Sequence, residues 1–393
     1  MTSNAEQWNA LTPELLRRRG SNKWTAPEGE LLCAGVAEMD FGTAPAVLDE
    51  WASIAERLEF GYPSESVAQE MSAATAKWHN EQYGWAVDAA DIFPLADVIK
   101  GLELAIVEFS KPGAPVIVPT PAYMPFLLVP KMFDRDVIES PMLRGDDGSF
   151  ALDLDDIAKH FAAGANLLVL ANPGNPTGKV YSHDELAALA DVADDHGARV
   201  FSDEIHSPLT LFGNRHVPLA SVSDAGARVS ITATSTSKAF NLPGLKCAQI
   251  ILSNDADRAL WETIGWMASH GASTPGMRLN TAAYLGGEPW LGEVREYIEG
   301  NIEYLRAALA EQLPEARMAP MQGTYLAWLD LRAYSDEPEL AEMLAEKAGI
   351  RVNGGAGYGA VGAGHIRVNV ATSRAILELI VERFSTALKS RRA

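Results

Sequence analysis

Residues 166–206 read NLLVLANPGNPTGKVYSHDELAALADVADDHGARVFSDEIH. A short apolar run, Asn166–Ala171, opens into a loop with two Asn-Pro steps, Asn172-Pro173 and Asn175-Pro176, closed by Gly178. Ser182-His183-Asp184-Glu185 follows as a capping box, with Ser182 at the N-cap and Glu185 three residues on. A helical pattern then runs over His183–His196 to a second apolar run, Arg199–Phe201, which leads into Ser202-Asp203-Glu204-Ile205-His206. Strand, capped helix and strand in that order predict parallel strands with helices on their faces.

The same alternation extends outward. Pro115–Pro119, Val229–Ala233 and Gln249–Leu252 are further strand candidates, and Val98–Phe109 and Asp153–Phe161 are amphipathic, the latter starting on a possible Asp153 cap. The fold class predicted is therefore α/β, a large domain with a mostly parallel central sheet over residues 45–290. A long helical pattern from Leu291 to about Leu313 stops near Pro314. Beyond it Gly323–Asp330, Ile350–Asn353 and His365–Ala371 read as strands, and Pro338–Lys347 and Ile376–Leu388 as helices. These predict a smaller α+β domain over 291–393, with residues 1–44 as an arm packing on it.

Of 393 residues, 47% are hydrophobic and 21% charged, the balance of a folded globular chain rather than a disordered one. A formal charge of −20 opposes binding to nucleic acid, and the one basic run, Arg17-Arg18-Arg19, reads as a solvated face. Cys33 and Cys247 form no C-x-x-C pair, which disfavours a disulfide scaffold or thiolate zinc site. The greasiest stretch, Pro115–Pro130, is interrupted by Pro119, Pro121 and Pro125 and cannot be a spanning helix. Met1–Trp8 is polar, without the apolar core of a signal peptide. A cytoplasmic protein with no membrane, nucleic-acid or metal partner is expected.

Four polar groups sit at or just beyond the C-terminal ends of apolar runs, the sheet edge where ligands bind in open α/β folds. Asn175 is held between proline-restricted steps; a plain tight turn is the alternative. Asp203 is an acid in mid-sheet, costly to bury without a cation, which a protonated ring nitrogen would supply; it could equally cap a helix. His206 alone reads as a satisfied buried histidine. Lys238, in Ser235-Thr236-Ser237-Lys238-Ala239-Phe240-Asn241, follows a strand among small hydroxyl residues and suits an imine-forming nucleophile, against the alternative of a surface lysine. Lys246 could reach back with Ser235 as a phosphate anchor. Tyr123, in Thr120-Pro121-Ala122-Tyr123, could lie flat on a planar ligand or sit in the core.

In order and spacing, Tyr123, Asn175, Asp203, Lys238, Lys246 and Arg367 resemble the fold-type-I pyridoxal-phosphate enzymes of the aspartate aminotransferase superfamily. Asn22-Lys23-Trp24, Val36-Ala37-Glu38-Met39-Asp40-Phe41, Phe60-Gly61-Tyr62-Pro63, Asp203-Glu204-Ile205-His206 and Gly323-Thr324-Tyr325 are similar to the cystathionine β-lyase (C–S lyase) branch, which includes the maltose-regulon modulator type. Two departures stand out. Gly35 and Glu38 replace a Trp and an Asp usual in the branch, and Asp97-Val98-Ile99 replaces a phosphate loop that commonly reads Gly-Val-Val. An acid beside a phosphate repels it, so Asp97 is expected to point away while the backbone N–H groups of Val98 and Ile99 bind.

The resemblance implies pyridoxal 5′-phosphate on Lys238, its ring nitrogen on Asp203, and Asn175, His206 and Tyr123 around the ring. Val98, Ile99, Ser235, Ser237 and Lys246 would hold the phosphate, joined by Tyr62 of a neighbouring subunit in a homodimer. Arg367, with Asn175 and Asp40, would take the substrate amino acid. The activity implied is α,β-elimination on cystathionine or related cysteine S-conjugates. The rival is an aminotransferase of the same fold; a lyase doubling as a regulatory binding protein is a third reading. No G-x-G-x-x-G follows an early strand, which disfavours a dinucleotide-binding dehydrogenase. Gly355–Gly359 reads as a flexible loop over the site.

Overall fold

A computed structural model describes residues 3–25 and 31–389 of the chain. Seven strands make the main sheet: β1 (Ile92–Leu95), β2 (Val116–Thr120), β3 (Val137–Pro141), β4 (Leu167–Ala171), β5 (Arg199–Asp203), β6 (Ser230–Thr234) and β7 (Ala248–Leu252). Their spatial order is β1-β7-β6-β5-β4-β2-β3. The five inner and outer members β6, β5, β4, β2 and β3 run parallel, and β7 is antiparallel to both β6 and β1. Parallel strands covered on both faces need side chains that are apolar on both, and Val116 to Val118, Leu167 to Leu170 and Val200 to Phe201 are all buried.

The capping box at Ser182 is present: Ser182 Oγ accepts from the Glu185 N–H at 3.2 Å and Glu185 answers on the Ser182 N–H at 2.9 Å. The helix it starts, His183–Asp195, buries Leu186, Leu189, Ala190 and Ala193, one stripe at helical spacing, against the sheet. Such a cap contributes about 1 kcal/mol and each fully buried leucine roughly 2 kcal/mol. Asp153 likewise caps Leu154–Ala162, accepting from the Asp156 N–H at 3.0 Å.

The 25-residue helix Glu288–Gln312 carries Leu291, Val294, Ile298, Ile302, Leu305 and Leu309 on one face. That face shares a core with a second sheet of β8 (Arg317–Met318), β9 (Leu326–Asp330), β10 (Asn353–Gly354) and β11 (His365–Asn369), in the order β8-β9-β11-β10. The run 350–353, predicted as one strand, is split at Val352. Ile350–Arg351 pairs in parallel with Leu32–Cys33, and Asn353–Gly354 crosses to His365–Asn369. The two edge strands β1 and β3 were not predicted. Pro94 interrupts one, and Glu139, Ser140 and Pro141 make the other look like loop, all of which an edge position tolerates.

Candidate active site

The parallel strands deliver their C-terminal ends side by side. Tyr123 follows β2, Asn175 follows β4, Asp203 ends β5 and Lys238 follows β6. These four strands are neighbours in the sheet, so residues up to 115 apart in sequence line a single cavity of about 210 Å³. Its wall also includes Ala37, Asp97, Val98, Ile99, His206, Ser237 and Lys246.

Asp203 is buried, and its Oδ1 accepts from the Ile205 N–H at 3.0 Å. Burial raises its pKa to about 7, because the ionised form has lost water; the Ile205 N–H and the Lys238 charge offset part of that, and nearby Glu204 adds to it. Burial lowers the Lys238 amine below the ordinary lysine value, with the Arg367 charge acting in the same direction. Lys238 Nζ donates to the Ala37 carbonyl at 3.0 Å. His206 is held well below the ordinary histidine range by burial, then by Lys238 and Arg367, and its Nδ1 is buried without a partner.

Arg367 is built into place. Its guanidinium donates to Asn175 Oδ1 at 3.0 Å and to the Gly35 carbonyl at 2.8 Å, while Nε has no partner. Tyr358, fully buried, lies with its ring 5.3 Å from the guanidinium carbon. The segment expected as a flexible loop is thus a packed 3-10 turn, Gly355–Tyr358, in which Gly355 closes on the Gly362 and His365 carbonyls where no side chain would fit.

Other expectations are corrected. Asp40 is not in the cavity wall: Lys23 Nζ donates to its Oδ2 at 3.0 Å and Trp24 Nε1 to its Oδ1 at 2.8 Å, all out of solvent. Both carboxylate oxygens are engaged, so Asp40 anchors the 35–41 segment rather than meeting a substrate. Arg19, in the run read as solvated, donates to the Asp40 carbonyl at 2.7 Å. Ser235 donates to the Cys247 carbonyl at 2.7 Å and lies behind Ser237, which faces the cavity. Asp97 does not point away. It caps the helix Val98–Val107, and its Oδ2 holds Lys246 Nζ at 2.8 Å on the cavity wall. Tyr62 is 91% exposed on a separate groove.

Some supporting residues had no recognised role in the sequence. Asn241 bonds both backbone groups of Met39, and Asn369 Nδ2 donates to the Val36 and Glu38 carbonyls. Tyr325 Oη donates to the same Ala37 carbonyl as Lys238. Together they fix the 36–39 strip as one side of the site. Glu204, fully buried, accepts from Ser202 Oγ at 2.9 Å and the Leu219 N–H at 3.1 Å and lies 2.8 Å from His216 Nε2. The motifs that hold these residues were visible; their partners, up to 333 positions away, were not.

The residues present fit a flat, phosphorylated aldehyde. There is a buried acid with one oxygen available, a buried amine whose pKa is lowered, an aromatic ring and a helix N-terminus with a lysine beside it. Architecture and site define a class, the fold-type-I pyridoxal-phosphate enzymes. A family model described as "Aminotransferase class I and II" matches residues 30–384, and the chain belongs to that family. It is 38% identical to the cystathionine beta-lyase of Corynebacterium glutamicum, over 96% of this chain and 99% of that one. A Corynebacterium diphtheriae structure, described as a candidate PLP-dependent beta-cystathionase, superposes with a TM-score of 0.90 at 40% identity, covering 96% of this chain and 98% of that one. The PLP-bound C-S lyase of Staphylococcus hominis superposes with a TM-score of 0.88 at 28% identity, covering 97% and 99%.

Proposed function

We propose that this chain is a pyridoxal-phosphate-dependent C–S β-lyase that cleaves cystathionine or a related cysteine S-conjugate to a thiol, pyruvate and ammonia. The observation that carries the reading is Lys238 and Asp203 facing one buried cavity, each pushed toward its neutral form. Identity to the lyase named above over nearly the whole of both chains favours elimination over transfer of the amino group.

Bound there, the cofactor supplies an aldehyde for the Lys238 amine and an electron-withdrawing ring that takes up charge developing at the substrate α-carbon. The chain's residues do the rest. Asp203, as a carboxylate, would hold the ring nitrogen in its protonated form, a cation that would replace the water the acid lost on burial. Tyr123 would present its ring to the cofactor, and the first-turn N–H groups of Val98 and Ile99, with Ser237 and Lys246, would take the phosphate. Arg367, already oriented by Asn175, Gly35 and Tyr358, clamps the α-carboxylate. That would fix the Cα–H bond for Lys238, whose amine would take the α-proton; the thiolate would leave Cβ with the bonding pair and be protonated, and water would hydrolyse the remaining three-carbon enamine to pyruvate and ammonia.

A homodimer is part of this proposal. Phe60, Tyr62 and Trp266 are 61 to 91% exposed around a groove of about 860 Å³, an apolar surface that a second copy would cover while bringing Tyr62 to the neighbouring phosphate. The test of function is incubation of the cofactor-loaded protein with cystathionine and no keto acid. Pyruvate and thiol formed in equal amounts are expected. No pyruvate, with amino transfer to an added keto acid, would establish the aminotransferase instead.

A further inference from the structure

We propose that Asp97 sets how tightly this chain holds the cofactor phosphate, by competing with that phosphate for Lys246. The inference rests on the cavity being a pyridoxal-phosphate site. Asp97 caps its helix through Oδ1, which accepts from the Lys100 N–H at 2.9 Å, and this leaves Oδ2 free to turn to Lys246 Nζ at 2.8 Å. Both side chains line the cavity beside Val98 and Ile99, whose N–H groups open the helix. The lysine of that first turn, Lys100, is paired with Glu103 at 3.2 Å and is not in the cavity wall. Lys246 is therefore the one full positive charge in the cavity wall besides Lys238, among the described residues, and a carboxylate already holds it.

An incoming phosphate dianion meets a helix N-terminus whose partial positive charge favours it and an anion that opposes it. It must either displace Asp97 from Lys246 or share the lysine with it, and in both cases the Asp97 charge weakens binding. With the two side chains 42% and 56% exposed, water screens the repulsion, so the effect is about tenfold in affinity rather than many orders of magnitude.

The test compares wild type with Asp97→Asn, which keeps a capping side chain and removes the charge. Asp97→Ser, also a capping residue, is the second variant should the first misfold. Each protein is stripped of cofactor and titrated with pyridoxal 5′-phosphate by absorbance, with inorganic phosphate as competitor and with unphosphorylated pyridoxal as control. Tightening of both phosphate-bearing ligands by about tenfold at low salt is expected, shrinking at ~1 M salt, with pyridoxal unchanged. Equal or weaker phosphate affinity in the variants, or equal tightening toward pyridoxal, would overturn the inference. Should wild type itself take up no cofactor, it is the reading of the cavity that fails, an outcome the ~420 nm absorbance of the loaded protein distinguishes.

Discussion

Asp203 and Lys238 are ionisable groups held away from water, and each moves toward its uncharged form as a result. For Asp203 this has a sign that can be measured. Its folded pKa, about 7, lies above the ordinary 3.8, so between those values the folded chain binds the proton more tightly than the unfolded one. The contribution of Asp203 to the stability of cofactor-free protein therefore falls as pH rises from ~4 to ~7 and stays at the lower level above that. Asp203→Asn removes the effect: equal stability at pH ~4, and a cofactor-free variant more stable than wild type at pH ~8 by up to ~4 kcal/mol, read from denaturant midpoints. Parallel curves for the two proteins would refute it. Arg367→Lys replaces a planar fork by a point charge, and kcat/KM for cystathionine is expected to fall by about two orders of magnitude while the ~420 nm band persists. An unchanged kcat/KM would remove Arg367 from substrate binding.

At the scale of elements, the site is a junction of the main sheet with the 35–41 segment. That segment is held by Asn241 from the Lys238 loop, by Asn369 from β11 and by the pairing of Asp40 with Lys23 of the short helix Asn22–Thr25. Removing one member of a buried ion pair leaves the other uncompensated. Lys23→Met is accordingly expected to destabilise the protein by about 3 kcal/mol, whereas replacing Asp40 by Asn in the same chain recovers part of the loss. Thermal or denaturant unfolding checks both, and a single variant as stable as wild type would contradict the assignment of Asp40 as an anchor.

For the whole molecule, the question is what covers Trp266, Met267 and Tyr62. Sedimentation is expected to give twice the chain mass, and Trp266→Glu, placing a charge in that apolar groove, to shift the population toward monomer with weakened cofactor retention. Retention unaffected in a monomer would show that Tyr62 of a neighbour plays no part in holding the phosphate. Among the described residues no helix is long and apolar enough to cross a membrane.

The run from Asn166 to His206 determined the α/β architecture by itself, because capping boxes and buried apolar strands are local signals that neighbouring residues write. The residues Asn175, Asp203, Lys238 and Tyr123 were legible for a related reason: each stands at or a few residues past the end of a strand, and parallel strands deliver their ends to one edge. Which way a side chain turns there is decided by partners far along the chain. Asp40 went to Lys23 and Trp24, Ser235 to Cys247, and Asp97 to Lys246 in the cavity wall rather than away from the phosphate-binding turn. Only the tertiary structure settles such choices, since a buried polar atom must find a partner in space and the sequence does not record which one is in reach.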